Sequence, residues 1–150
     1  MRLIIQRVSQ ANVKIENKLH SSIQQGFLIL IGIESEDTID DIEWLCGKII
    51  SMRIFSDNEG KMNLNINQIN GNILVVSQFT LHASSKKGNR PSFIKAAKPN
   101  IAIPLYKKFI EELEKKLCKP IQSGLFGANM QIELINDGPV TLFLDSKNQE

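Results

Sequence analysis

Apolar and polar residues alternate from the start of the chain: Leu3, Ile5 and Val8 first, then Val13 and Ile15 set among Asn12, Lys14 and Glu16. A period of two sends successive side chains to opposite faces of a sheet, so these runs predict two strands. Asn17-Lys18 is a turn signal, since Asn accepts left-handed backbone. From Gly26 to Ile33 the chain is apolar without a break, which predicts a strand buried on both faces. The period then changes. Ile39, Ile42, Leu45, Cys46, Ile49 and Met52 recur at helical spacing behind Thr38, with Asp41 three residues on to complete a capping box. Trp44 is read as rimming the buried face of this helix, with base stacking as the alternative.

Arg53 to Phe55 reads as a short strand, Asp57 to Gly60 as a turn, and the Asn-rich stretch 63–72 as a loop or short helix. Ile73 to Leu81 reads as a core strand. Leu105, Phe109, Leu113 and Leu117 mark a helix from about Ile101 to Leu117. Proline lacks the N–H that a helix interior needs, so Pro104 places the true start one or two residues later. Met130 to Ile135 and Val140 to Leu144 predict two strands. Between them, Gly138-Pro139 reads as a hairpin turn, the alternative being a cis bond that aims two carbonyl oxygens at a ligand. The chain is polar from about residue 146. Strands alternating with helices define an α/β fold, a three-layer mixed β-sheet sandwich with two main helices packed on one side.

With 150 residues, 42% of them hydrophobic, the chain fits a single domain over 1–150. The run from Phe27 to Ile33 is too short to span a bilayer, and Met1-Arg2 leads directly into a strand pattern. A cytoplasmic protein with no membrane partner is expected. Cys46 and Cys118 are expected to be reduced core residues on helices, being outside any CxxC spacing. His20 and His82 belong to no carboxylate cluster, so no metal site and no cofactor are expected. Net charge is only +2. It is unevenly spread, with ten Lys or Arg against three Glu between Ser84 and Lys119. The Lys-Glu pattern on the second helix is that of a solvated face. The loop Ser84 to Ser92, with Lys86, Lys87 and Arg90, suits a phosphate backbone.

Two other stretches carry candidate chemistry. Ser77-Gln78-Phe79-Thr80 puts three hydrogen-bonding side chains at the end of a buried strand, where they need partners from neighbouring loops or from a ligand. Alternation sets Ser77 and Phe79 on one face, Gln78 and Thr80 on the other. The loop Ser123 to Asn129 contains enough glycine for its backbone to approach a flat ligand, with a plain connection as the alternative. No nucleophile elbow, P-loop or dinucleotide fingerprint is present.

Taken together, Gln6-Arg7-Val8, Arg53-Ile54-Phe55 with Gly60-Lys61-Met62-Asn63, Ser77-Gln78-Phe79-Thr80-Leu81, Arg90-Pro91-Ser92-Phe93 and Asn136-Asp137-Gly138-Pro139-Val140-Thr141 resemble the D-aminoacyl-tRNA deacylases, from Met1 to about Asp145. The resemblance implies a homodimeric hydrolase with pockets near the subunit interface. It would cleave the ester between a D-amino acid and the terminal adenosine of tRNA, and glycyl-tRNA mischarged on tRNA-Ala as well. It implies a cis Gly138-Pro139 bond whose carbonyl oxygens reject L-amino acids by clash. Phe79, with Thr80, is implied as backbone oxyanion donor, and Ser77 and Gln78 as positioning the ester. Phe126, Gly127, Ala128 and Met130 match the adenine-binding loop, where Asn129 stands in place of a common acid. Arg7 is implied to fix the Gly138 carbonyl, a surface strand cation being the alternative. His82 is read as a rim residue, and Thr80 as a hydrogen-bonding wall rather than a nucleophile. The competing reading is a non-catalytic tRNA- or RNA-binding module using the Lys86 to Arg90 loop.

Overall fold

In the computed structural model, which describes residues 1–149, the two alternating runs at the start form one strand, β1 (Arg2–Ile15). Leu3 and Ile5 are buried in one cluster, whereas Val8, Ala11 and Val13 are buried in another. The odd-even phase slips near Val8, where the register against the neighbouring strand also shifts. A bulge thus changes the buried face without ending the strand, which is why the pattern reads as two. Glu16 and Asn17, both at positive φ, turn the chain into β2 (Lys18–Ile23), and β3 (Gly26–Gly32) continues antiparallel along the same edge of β1.

The first crossover contains α1 (Ile39–Ser51) and a small hairpin, β4 (Phe55–Ser56) and β5 (Met62–Leu64), before β6 (Asn72–Ser77) pairs parallel to β3. The expected strand Arg53 to Phe55 is thus confined to Phe55 and Ser56. A second crossover through α2 (Pro99–Leu117) leads to β7 (Gln122–Ser123), parallel to β6. α2 begins earlier than Pro104 implied: Pro99 occupies its first turn, and Pro104 lies inside the helix. The carbonyl that Pro104 leaves without an N–H belongs to Asn100, which is exposed, so water satisfies it at little cost.

The last element corrects the hairpin reading. β8 (Gln131–Asp145) is one strand of fifteen residues, antiparallel to β1 over nearly all of its length. Both apolar runs therefore pair with the same neighbour. The Gly138-Pro139 segment is a bulge between Asn136, opposite Val8, and Thr141, opposite Gln6.

The expected helix layer lies on one side. Ile42, Leu45, Cys46 and Ile49 of α1 and Ala102, Tyr106, Phe109, Leu113 and Leu117 of α2 join Leu3, Ile5, Phe27, Ile29, Ile73 and Val75 in one core. Leu28, Leu74 and Val76 point the other way, into a second cluster with Val8, Ala11, Val13 and Ile23, against which Met130, Ile132 and Leu134 pack. β3 is thus buried on both faces, as its unbroken apolar run implies. The remaining layers of the expected sandwich are a single mixed sheet that curls over its own inner face. Trp44 packs against the helix-side core, with the Lys48 ammonium 5.6 Å from its ring centre. Cys46 is buried with its Sγ 3.7 Å from the Phe109 carbonyl oxygen, and burial pushes its thiol pKa up to about 12. Cys118 is not a core residue: it is exposed, in left-handed backbone at the C-cap of α2.

The capping box of α1 forms, the Asp41 carboxylate accepting the Thr38 N–H at 2.7 Å. Asp41 also accepts from the Lys147 ammonium at 2.8 Å. Burial alone would raise its pKa, but hydrogen bonds from Lys147, Ser146 and Thr38 outweigh it and hold the carboxyl well below its ordinary 3.8. A depressed folded-state pKa stabilises fully above the ordinary value and is lost as pH falls through the folded one. Asp41→Asn is expected to lower stability at pH 7 and to flatten its decline below pH 3.8. Denaturant midpoints at several pH values check this, and an unchanged acid slope would remove Asp41 from the account.

Candidate active site

β3 and β6 run parallel, and their carboxyl ends open on one side of the sheet, the usual place for a ligand crevice in such an arrangement. A cleft of about 290 Å³ lies there. Its walls bring together two of the sequence candidates: Ser77, Gln78 and Phe79 on one side, Phe126, Gly127, Ala128, Asn129 and Met130 on the other. Ile31 of β3, Ile33 just beyond it, Ala97, Ala102 and Ile132 complete an apolar floor that no local motif marks. Only the parallel pairing of β3 with β6 could have pointed to them. Asn129 is on the wall, so its amide stands where the resemblance leads one to look for an acid.

The strand expected through Leu81 stops at Ser77. Gln78 donates its N–H to the Ile31 carbonyl at 2.7 Å, and Phe79–His82 winds into a 3₁₀ turn. Strand alternation therefore does not govern Phe79 and Thr80, and both are exposed. In this turn the donors are Leu81 and Ala83, to the carbonyls of Gln78 and Thr80. The N–H groups of Phe79 and Thr80 come first in the turn and have no acceptor among the described residues. Phe79 is 58% exposed while lining the cleft, and its ring meets Phe93 edge to face at 5.1 Å.

Thr80 does not line the cleft. Its hydroxyl accepts from the side-chain amide of Gln78. His82 is not a rim residue but is buried, with its Nδ1 3.2 Å from Glu34 Oε1. The short turn forces this, carrying the His82 side chain beneath Phe79 and Thr80 into the core. No hydrogen bond joins His82 to the Thr80 hydroxyl. Among the described residues, no group of three His, Cys, Asp or Glu is placed to hold a metal ion.

The residues of the 123–130 loop are set by packing. Gly124 N–H bonds the Val75 carbonyl at 2.9 Å, and a Cβ on Gly124 would lie 2.5 Å from the Met130 sulfur. Phe126 meets Tyr106 edge to face at 5.6 Å, and the buried Tyr106 hydroxyl donates to the Val75 carbonyl at 3.0 Å. Burial pushes the Tyr106 hydroxyl pKa well above its ordinary value.

Gly138 and Pro139 do not join this cleft. The bond between them is cis, and Gly138 has φ +144°. Arg7 beside them is 8% exposed, not a surface cation, and its Nε donates to the carbonyl of Asp137 at 2.8 Å rather than to that of Gly138. Its Nη1 donates to the Ile54 carbonyl at 2.6 Å. Asn136, quoted in the motif but given no role of its own, clasps the bulge: its Oδ1 accepts the Val140 N–H at 2.8 Å and its Nδ2 donates to Thr141 Oγ1 at 3.0 Å. Arg7 pairs with Phe27 near the start of β3, whereas Gln78 bonds Ile31 near its end. Four residues of strand separate those levels, roughly 13 Å, and the bulge is on the far side of β1.

Lys86, Lys87 and Arg90 are exposed on a loop closed by the paired Ser84 and Ser92, outside the cleft. Among the described residues no helix is long and apolar enough to cross a membrane.

Fold and cleft together define a mixed α/β protein with a groove between the end of β6 and the 126–130 loop, over an apolar floor. Residues 4–145 match the family described as D-Tyr-tRNA(Tyr) deacylase. The chain is 60% identical over 150 residues to the D-aminoacyl-tRNA deacylase of Flavobacterium johnsoniae and 58% identical to that of Bacteroides fragilis, with 100% of both chains covered in each case. Among solved structures it is similar to a c-Myc DNA unwinding element binding protein, with TM-score 0.92 and 39% identity over 97% of this chain and 98% of the other. A probable eukaryotic D-amino acid tRNA deacylase shares the fold at 18% identity, with TM-score 0.82 over 95% of this chain and 97% of that one. The chain belongs to the D-Tyr-tRNA(Tyr) deacylase family, whose members are hydrolases of the ester bond of aminoacyl-tRNA.

Proposed function

We propose that this protein hydrolyses D-aminoacyl-tRNA to free D-amino acid and tRNA in the cytoplasm, and accepts glycyl-tRNA. The observation that carries the reading is the meeting of Ser77 to Phe79 with the 126–130 loop across one cleft. In this reading the loop grips the terminal adenine against Phe126 and Met130, and the ester lies along Ser77 and Gln78. The free N–H of Phe79 stabilises the oxyanion that forms when water attacks the carbonyl, with that of Thr80 beside it. A donor of this kind is worth about 2.7–4 kcal/mol. A threonine hydroxyl without a base is a weak nucleophile, so the 2′-OH of the terminal ribose helps to activate the water.

The filter for handedness is the Gly138-Pro139 backbone. An L side chain would run into its carbonyl oxygens, and a D side chain or the hydrogen of glycine would not. Since this segment lies away from the cleft of its own chain, the filter comes from a second copy. β8 supports a dimer: among the described residues its outer edge has no partner strand, and Ile135 and Phe143 on it are 54% and 55% exposed. A long open edge with apolar side chains calls for cover. Each cleft would then hold Gly138 and Pro139 of the partner copy, while Lys86, Lys87 and Arg90 meet the tRNA backbone.

The decisive assay follows ester loss from D-tyrosyl-, L-tyrosyl- and glycyl-tRNA, with and without chelator. Loss of the D and glycyl esters alone, indifferent to chelator, is expected. Binding of tRNA without release of amino acid would establish the non-catalytic RNA-binding module instead, and stable glycyl-tRNA beside a cleaved D-ester would sink the filter. Thr80→Ala is expected to keep turnover within about tenfold, the loss of one hydrogen bond being a modest change. Complete loss with tRNA binding intact would make Thr80 the nucleophile.

A further inference from the structure

The cleft is at the lower limit of small-molecule pockets, which begin at about 300 Å³. A terminal nucleoside with its aminoacyl group fills it, so the rest of the tRNA end must leave across the rim. On that rim Phe79 faces two ways: it lines the cleft, and its ring meets Phe93, which does not. Ile94, the next residue, is 93% exposed. Leaving a large aliphatic group so open brings no stability to the isolated chain.

The segment that carries these side chains is held in place. Ser84 and Ser92 exchange backbone hydrogen bonds of 2.8 Å on one side of it, and Ala97 donates to the Ile33 carbonyl at 2.8 Å on the other. Phe93 itself accepts the Ala96 N–H at 3.0 Å. An aromatic ring is therefore fixed just outside the cleft. Around it, Lys86, Lys87, Arg90, Lys95 and Lys98 are all exposed, and no acid occurs between Ser84 and Lys98.

Resting on the deacylase reading, we infer that Phe93, with Ile94 beside it, forms a second subsite on which the base of the penultimate nucleotide of tRNA stacks. Aromatic rings interleaved with cations are what single-stranded nucleic acid selects: the ring takes the base face and the cations take the phosphates. The charge also argues against one alternative occupant, the same segment of a second copy of this chain. A copy docked on the same segment would set cations against cations.

The test compares D-tyrosyl-adenosine, which ends at the first subsite, with D-tyrosyl-tRNA, which reaches the second. Phe93→Ala is expected to raise KM for the tRNA substrate by roughly 5- to 150-fold, the range for loss of one base stack. Its kcat should stand, and hydrolysis of D-tyrosyl-adenosine should stay within about twofold of the parent, below the effect of even one stack. Phe93→Leu keeps apolar bulk against Phe79 and should share the defect, whereas Phe93→Trp should restore the parent KM.

An equal loss on both substrates would mean that Phe93 only props Phe79, and would overturn the subsite. So would an unchanged KM for tRNA, or dissociation of a dimer in sedimentation. If the parent protein cleaves neither substrate, the deacylase reading fails on its own. Uncharged tRNA binding then reads the platform alone, and equal affinity for parent and Phe93→Ala overturns it.

Discussion

Replacing Gly138 by alanine is expected to lower kcat/KM for D-aminoacyl-tRNA by about 100-fold, the usual consequence of misplacing a positioning group by about 1 Å. Gly138 has φ +144°, where an L side chain is strained, and there is no room beside it. An added Cβ would lie 2.8 Å from Val140 Cγ2, 3.0 Å from the Val140 nitrogen and 3.1 Å from Arg7 Nη2. None of these gives way easily, because Val140 is tied to Asn136 and Arg7 is held by the carbonyls of Asp137 and Ile54. The bulge itself must therefore shift. Since the proposed filter is made of backbone, its displacement should also narrow the preference for D over L substrates. Single-turnover hydrolysis of both esters reads the two effects. Parent-like rates and an intact D/L ratio would remove this bulge from the active site.

The second large effect concerns stability. Asp37→Asn is expected to lower the free energy of unfolding by about 3–5 kcal/mol, the usual cost of leaving one member of a buried ion pair uncompensated. The Met1 ammonium lies 2.5 Å from Asp37 Oδ1, with both side chains wholly buried. Ser146 Oγ accepts a further hydrogen bond from the ammonium at 2.8 Å, and the Ser146 N–H donates to the Met1 carbonyl at 2.9 Å. Asparagine fills the same space but removes the charge and one acceptor, since Asp37 Oδ2 also accepts the Glu34 N–H at 2.7 Å, so the change reads both losses together. The nearest other cation, Lys147 at 3.9 Å from Asp37, adds to the positive charge left behind. The denaturant midpoint measures the outcome. A shift under about 1 kcal/mol would place this pair with ordinary surface bridges.

These two sites differ in how they could be read beforehand. Gly138-Pro139 stands out in any scan of the chain, because both residue types interrupt backbone patterns. Met1 and Asp37 carry no such mark, and their pairing needs the β1 start, the segment before α1 and Ser146 just past β8 to converge. His82 shows the same limit. As a polar residue behind an exposed threonine it read as rim, and only the tight 3₁₀ turn buried it against Glu34. Arg7 was read as fixing the Gly138 carbonyl, but its acceptor proved to be the Asp137 carbonyl, one residue earlier than the resemblance implied.

What the sequence determined by itself was local: the buried β3, the capped α1, the apolar face of α2 and the polar end of β6. Each follows from a period or a residue chemistry acting over a few positions. Its motifs also sufficed to place the chain in its family. Tertiary structure decided what depends on pairing between distant segments. β1 and β8 proved continuous because each finds one unbroken partner in the other, and the bulges in their register are invisible to a scan of either strand alone. The same pairing decided that Gly138-Pro139, first legible as a turn between two strands, is a fixed protrusion from one strand, remote from the cleft of its own chain.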